Sequence, residues 1–141
     1  MDSLTTINLP IQDVFAYVAD HANDKYWKPF VTESRKITEG AIGVGTRFEI
    51  VTVAWGYRHA GEVEVLEYKP YGFYAYRAND PVLPFLAQLA FSETPSGTQI
   101  KGHVEFQAQG FWKLISLLPL LFFRSQSKKT FAHLKQIMEQ D

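Results

Sequence analysis

Polar and apolar residues along the chain follow first one period and then another, and the changes mark the elements. Ser3 to Asn8 alternates around Thr5, Thr6 and Ile7 and predicts a short strand. Pro10 comes next, where the first turn of a helix tolerates proline. Ile11, Val14, Phe15 and Val18 recur at helical spacing, which predicts an amphipathic helix over 10–19. Asp20 suits the cap of a second short helix over 21–27, ending in Tyr26-Trp27 before Lys28-Pro29. From Val31 the period becomes two. Val31 to Thr38 is a strand, Gly40 to Gly45 a turn, and Thr46, Phe48 and Ile50 lead a strand that runs to Ala54. Trp55-Gly56-Tyr57 turns the chain, and Arg58 to Lys69 returns it. His59, Gly61, Val63 and Val65 share one face of that return strand, with Arg58, Glu62 and Glu64 on the other. Pro70-Tyr71-Gly72 makes a corner, and Phe73 to Ala78 is an aromatic strand.

The stretch over 81–91, PVLPFLAQLAF, is apolar on both parities, so it suits a buried strand or a helix. The turn after it, Thr94-Pro95-Ser96-Gly97, has proline second and glycine last, as a type I turn prefers, and favours a strand. In the last strand Thr98, Ile100, Val104 and Phe106 face inward, while Gln99, Lys101, His103 and Glu105 face outward. Gly102 falls on the inner face, either for close packing or for space.

The end of the chain is helical and unusual. Phe111 to Phe123, interrupted by Lys113, is apolar on every side and therefore needs cover or an oily contact. A straight helix over 111–140 would measure ~45 Å, longer than a domain of this size is wide. Pro119 is therefore expected to kink or divide it. Phe131, Leu134 and Met138 form a stripe, with Ile137 beside it, for packing on the sheet.

Hairpin-linked strands followed by a helix predict an α+β fold with an antiparallel sheet wrapped around a long C-terminal helix. The 141 residues favour one domain over 1–141. Aromatics at 15% are rich enough to line a small-molecule site as well as a core. A net charge of −1 supplies no field for nucleic acid, and four basic residues after the oily stretch (Arg124, Lys128, Lys129 and Lys135) do not amount to a nucleic-acid surface. With no cysteine there are no disulfides or thiolate metal sites, which suits a reducing compartment. The opening MDSLTTINLP lacks a basic segment followed by an apolar one, so no signal peptide is read and a cytoplasmic location is expected. As a helix the oily run extends ~20 Å, short of a ~30 Å hydrocarbon core.

Candidate chemistry is sparse. Gly40-x-x-Gly-x-Gly45 opens a strand and lacks the helix N-terminus of a phosphate loop. His21, His59, His103 and His133 are scattered and have no metal-ligand spacing. His59 shares a face with Val63 and Val65, and Glu67 continues that parity. Either is a candidate acid or base if it faces an apolar cavity, against packing or escape to water. Tyr74 and Tyr76 share a face and, if inward, offer rings and hydroxyls to a ligand. Trp27 and Phe30 either close the mouth of a pocket or pack helix to sheet.

Several segments together resemble one family. NLPIQDVFAYVADHANDKYW is similar to the opening of START-like (SRPBCC) proteins, especially the polyketide cyclase/dehydrase and coenzyme-Q-binding branches. GVGTRFEI, VLEYKPYGFYAYRA, SGTQIKGHVEFQAQG and HLKQIMEQ resemble that family's strand start, proline corner, last strand and final helix. The resemblance implies a helix-grip fold, as in the birch-pollen allergen, with a cavity between sheet and C-terminal helix for lipids, polyketides, steroids or quinones. It implies no catalytic motif at numbered positions here. The expected function is therefore binding of an apolar small molecule, lined by Trp27, Phe48, Ile50, His59, Val63, Val65, Tyr74, Tyr76, Phe106 and Leu118. The alternatives are a cyclase, dehydratase or isomerase using the same cavity, or a module that docks on a membrane, a partner or a second copy through residues 111–124. No metal, cofactor or nucleic acid is expected.

Overall fold

The alternation becomes one seven-stranded antiparallel sheet. Its strands, in chain order, are β1 (Asp2–Ile7), β2 (Val31–Lys36), β3 (Arg47–Ala54), β4 (Tyr57–Lys69), β5 (Phe73–Asn79), β6 (Phe85–Thr94) and β7 (Gly97–Phe106). They lie side by side as β1-β7-β6-β5-β4-β3-β2. Apart from the β1–β7 pair, neighbours in the sheet are consecutive in sequence. The computed structural model describes residues 2–54, 56–79, 84–106 and 130–139. Leu118 and the whole oily stretch, with the contacts expected of it, lie outside them.

Two short helical pieces come after β1. In α1 (Ile11–Ala19), Ile11, Val14, Phe15, Val18 and Ala19 are buried, the stripe that the spacing predicts. Pro10 stands just ahead of the helix, and its carbonyl accepts from the Asp13 and Val14 amides. Asp20 acts as the expected cap. Its side chain accepts from the Ala22 amide and opens a single 3₁₀ turn, His21–Asn23, which runs into α2 (Asp24–Trp27). Ser34 of β2 fastens this pair to the sheet, donating to the Ala22 carbonyl at 2.9 Å and accepting from the Lys25 amide at 3.3 Å.

Of the segment with two readings, the residues from Phe85 on belong to strand β6, which is joined to β7 by Pro95 and Ser96 alone. A Cβ on Gly97 would lie 2.2 Å from the Ile7 carbonyl oxygen, so the glycine lets β1 approach this hairpin. Gly102 serves close packing. A Cβ there would sit 2.6 Å from Ser3 Oγ and 3.2 Å from Leu89 Cδ2.

One parity expectation fails, for a clear reason. Between β4 and β5, Val65 pairs with Tyr76 but Glu67 pairs with Ala75, so Leu66 is an extra residue on β4. A bulge of this kind reverses the alternation beyond it. Glu67 consequently shares the outer face with Ala75 and is exposed.

Residues 130–138 form a helix on the inner face. Leu134 is fully buried, and Phe131, Ile137 and Met138 pack against the core, as the stripe predicts. Lys135 and Glu139 tie this helix to the β1 end, donating to the Thr6 carbonyl and accepting from the Asn8 amide. On the other side His133 donates from Nδ1 to the Trp27 carbonyl at 3.2 Å.

Candidate functional site

The inner face of the sheet is graded. At the β1 end, Ile7, Val14, Phe15, Val18, Tyr74, Phe91, Ile100 and Leu134 are buried together. Phe15 meets the rings of Tyr68, Tyr74 and Phe91 edge-on. Toward the far ends of β3, β4, β6 and β7 the inward residues are only half-buried. Ile50, His59, Phe85, Val104 and Phe106 lie there. Of the expected lining residues, Phe48, Val63, Val65, Tyr74 and Tyr76 are buried on this face, and both tyrosines point inward. Trp27 is buried against Phe131, with ring centroids 5.8 Å apart, which is helix-to-helix packing. His59 is half-buried and stacked on Tyr57 at 5.5 Å. Glu67 does not face this side at all.

Between the two zones lies a polar group that the pattern of the sequence did not single out. The Asp20 cap turns the chain so that His21 enters the core. Its ring lies 4.3 Å from that of Tyr76, 5.2 Å from Phe48 and 5.5 Å from Tyr74. Nδ1 of His21 is 2.8 Å from Asp24 Oδ2, and Lys28 Nζ is 3.0 Å from the same oxygen. Lys28 also reaches the Tyr76 hydroxyl at 3.4 Å and lies over the rings of Trp27 and Tyr76. The spacing His21-x-x-Asp24-x-x-x-Lys28 places all three on one side of a helical path. That spacing is the one sequence signal from which the group was readable.

The charges in this group are interdependent. Burial by itself would raise the Asp24 carboxyl, but His21 and Lys28 outweigh it and hold the group below the ordinary carboxylate range. Burial would lower the Lys28 ammonium; Asp24 and Tyr76 outweigh it, so lysine stays protonated. The Tyr74 phenol is driven far above its usual value, first by burial and then by Tyr76 and Asp24, and is a neutral hydroxyl. Four buried polar atoms in and around this group have no hydrogen-bond partner among the described residues: His21 Nε2, Asp24 Oδ1, Trp27 Nε1 and Tyr74 Oη. A buried polar atom without a partner costs about 1–3 kcal/mol, so four around one group are unusual in a purely structural core.

Among the described residues no cluster of three or more histidine, aspartate or glutamate side chains is arranged to hold a metal ion. No helix among them is long and apolar enough to cross a membrane.

Likeness to known proteins extends over nearly the whole of this architecture. Residues 2–139 match the family described as polyketide cyclase / dehydrase and lipid transport. The chain belongs to this family. It is the polyketide cyclase/dehydrase branch of the START-like superfamily, and its architecture is the helix-grip fold. Solved structures agree on that fold at low identity. The structure of Ara h 8.0201 is 15% identical with a TM-score of 0.71, covering 100% of this chain and 97% of its own. The di-domain ARO/CYC protein BexL of the BE-7585A biosynthetic pathway is 18% identical with a TM-score of 0.73. It covers 100% of this chain, which spans 50% of BexL. Protein SA2116 of Staphylococcus aureus, of unknown function, is 12% identical with a TM-score of 0.75, covering 99% of this chain and 92% of its own. No curated protein matches the sequence.

Proposed function

We propose that the protein binds an apolar, ring-containing small molecule between the inner face of its sheet and its C-terminal helix. The observation that carries this reading is the meeting of Phe48, Tyr74 and Tyr76 with four buried polar atoms lacking partners among the described residues. An apolar lining with a few convergent polar groups is the general form of a small-molecule site. Membership of a family described by polyketide cyclisation and lipid transport supports it as well. Ile50, Val63, Val65 and Phe106 extend the apolar wall, and His59 stands on its half-buried side. Each Å² of apolar ligand surface taken from water is worth about 25 cal/mol. The test is mass spectrometry of the purified protein, together with displacement of an apolar dye by steroids, fatty acids, quinones and polyketides. Displacement by a ring-bearing compound is expected; failure of all four classes overturns the reading.

A cyclase, dehydratase or isomerase is the second reading, and one observation favours it. His21, oriented by a buried carboxylate, has the arrangement of a positioned proton acceptor. Here His21 takes the part that Glu67, on the outer face, is not placed to play. His21→Phe should abolish turnover of a polyketide-like substrate while binding persists; unchanged turnover ends this version.

A further inference from the structure

We propose that His21, held by Asp24, selects ligands that carry a hydroxyl on the ring system: the ligand's O–H donates to His21 Nε2. The inference rests on the apolar-site reading above and adds to it the chemistry that is recognised.

The donors and acceptors around His21 fix its tautomer. Asp24 Oδ2 only accepts, so the hydrogen between it and His21 at 2.8 Å sits on Nδ1. In the neutral ring Nε2 is then a lone-pair acceptor, and the carboxylate fixes that tautomer. The His21 side chain is only 2% exposed, and Nε2 has no partner among the described residues. Its ring neighbours are Phe48, Tyr74 and Tyr76. Phe48 has no donor, and the Tyr76 hydroxyl is within reach of Lys28. The Tyr74 hydroxyl is likewise unpartnered among the described residues, and its phenol is neutral.

Charge then narrows the class. With the imidazole in its neutral form, Lys28 and Asp24 are the two charges of the group and are of opposite sign, so it offers no surplus positive charge to a carboxylate or phosphate. An anion would also face the Asp24 carboxylate and meet an acceptor at Nε2. A neutral donor fits both constraints, and the surrounding rings suit an aromatic or polycyclic body. Phenols and enols carry a more acidic hydrogen than alkyl alcohols and donate more strongly to a nitrogen acceptor, while staying neutral where a carboxylic acid ionises.

The test compares two matched probes on the full chain by calorimetry. 2-Naphthol carries the hydroxyl; 2-methoxynaphthalene has the same rings and no O–H. Naphthol is expected to bind at least about tenfold more tightly, the effect of one well-placed buried hydrogen bond. His21→Phe should remove that preference while the methoxy probe still binds, and His21→Gln, which keeps an acceptor, should retain part of it. Equal affinities in the unaltered protein overturn this inference and leave the apolar-site reading standing. If neither probe nor an apolar dye binds, the apolar-site reading falls, and this inference falls with it.

Discussion

Asp24 receives the imidazole of His21 on one carboxylate oxygen at 2.8 Å, with both side chains 2% exposed. Lys28 shares that oxygen from the next turn. The three residues lie close together in the chain, yet they sit against rings of β3 and β5. Removing one member strands the others in a low-dielectric place. Asp24→Ala is therefore expected to cost about 3–5 kcal/mol in urea unfolding, and Asp24→Asn less, because it keeps an acceptor.

Acid should expose the same linkage. The Asp24 carboxyl is held below its ordinary value of 3.8, so its stabilising contribution is complete above that pH. It is lost as pH falls below 3.8 through the depressed folded value. Thermal melts of the wild type should decline more steeply on this acid limb than those of Asp24→Asn. Parallel limbs would contradict the assignment.

A basic limb of opposite sign belongs to the sheet edge. His103 of β7 bonds to Asp2 of β1 and, at 3.1 Å, to Glu105, and these bonds raise it above its ordinary value of 6.5. Its contribution is complete below 6.5 and disappears as pH rises through the raised value. The melting-temperature advantage of wild type over His103→Asn should therefore be full below pH 6.5 and shrink as pH rises above it through the raised folded value. The site is exposed, so the effect should also weaken with salt.

Two glycines of β7 separate by what their missing side chains would strike. Gly97→Ala would drive a methyl into the backbone of Ile7, Asn8 and Leu9, which cannot give way without parting β1 from the hairpin. Gly102→Ala meets side chains, Ser3 Oγ and Leu89 Cδ2, that can shift. Gly102→Ala is expected to cost about 1–3 kcal/mol, partly recovered by Ser3→Gly, and Gly97→Ala clearly more. Urea denaturation of the three variants checks the order.

Tyr74 separates ring from hydroxyl. The ring is fully buried, and the hydroxyl has no partner among the described residues. Tyr74→Phe should leave the stability of the ligand-free protein within about 0.5 kcal/mol or raise it, since no protein hydrogen bond is lost. Tyr74→Ala should cost about 3–5 kcal/mol through the cavity it opens. A large loss in Tyr74→Phe would reveal a partner for that hydroxyl.

Periodicity made most of the fold legible. Phe48, Ile50, Val63, Val65, Ile100 and Val104 face inward because alternation along an antiparallel strand is a local property. The helical stripe of α1 and the Leu134 stripe were readable for the same reason. Alternation misled at Glu67, because one extra residue on β4 reverses the faces and nothing in the local sequence announces it. Legibility was poorest at the candidate site. His21 sits in a break between helices, where no period runs, and looked like one scattered histidine of four.

What the amino-acid order determined by itself, among the described residues, was the set of elements, their hairpin connections, the inward faces of the strands and the family to which they belong. Those features come from spacing over a few residues, where backbone geometry and solvent decide. The tertiary structure alone decided that Glu67 faces outward, that Gly102 serves a close contact, and that His21, Asp24 and Lys28 meet Tyr74 and Tyr76 from a distant part of the chain. Burial, and with it charge state and hydrogen-bond need, depends on what arrives from distant strands, and no local spacing contains that information.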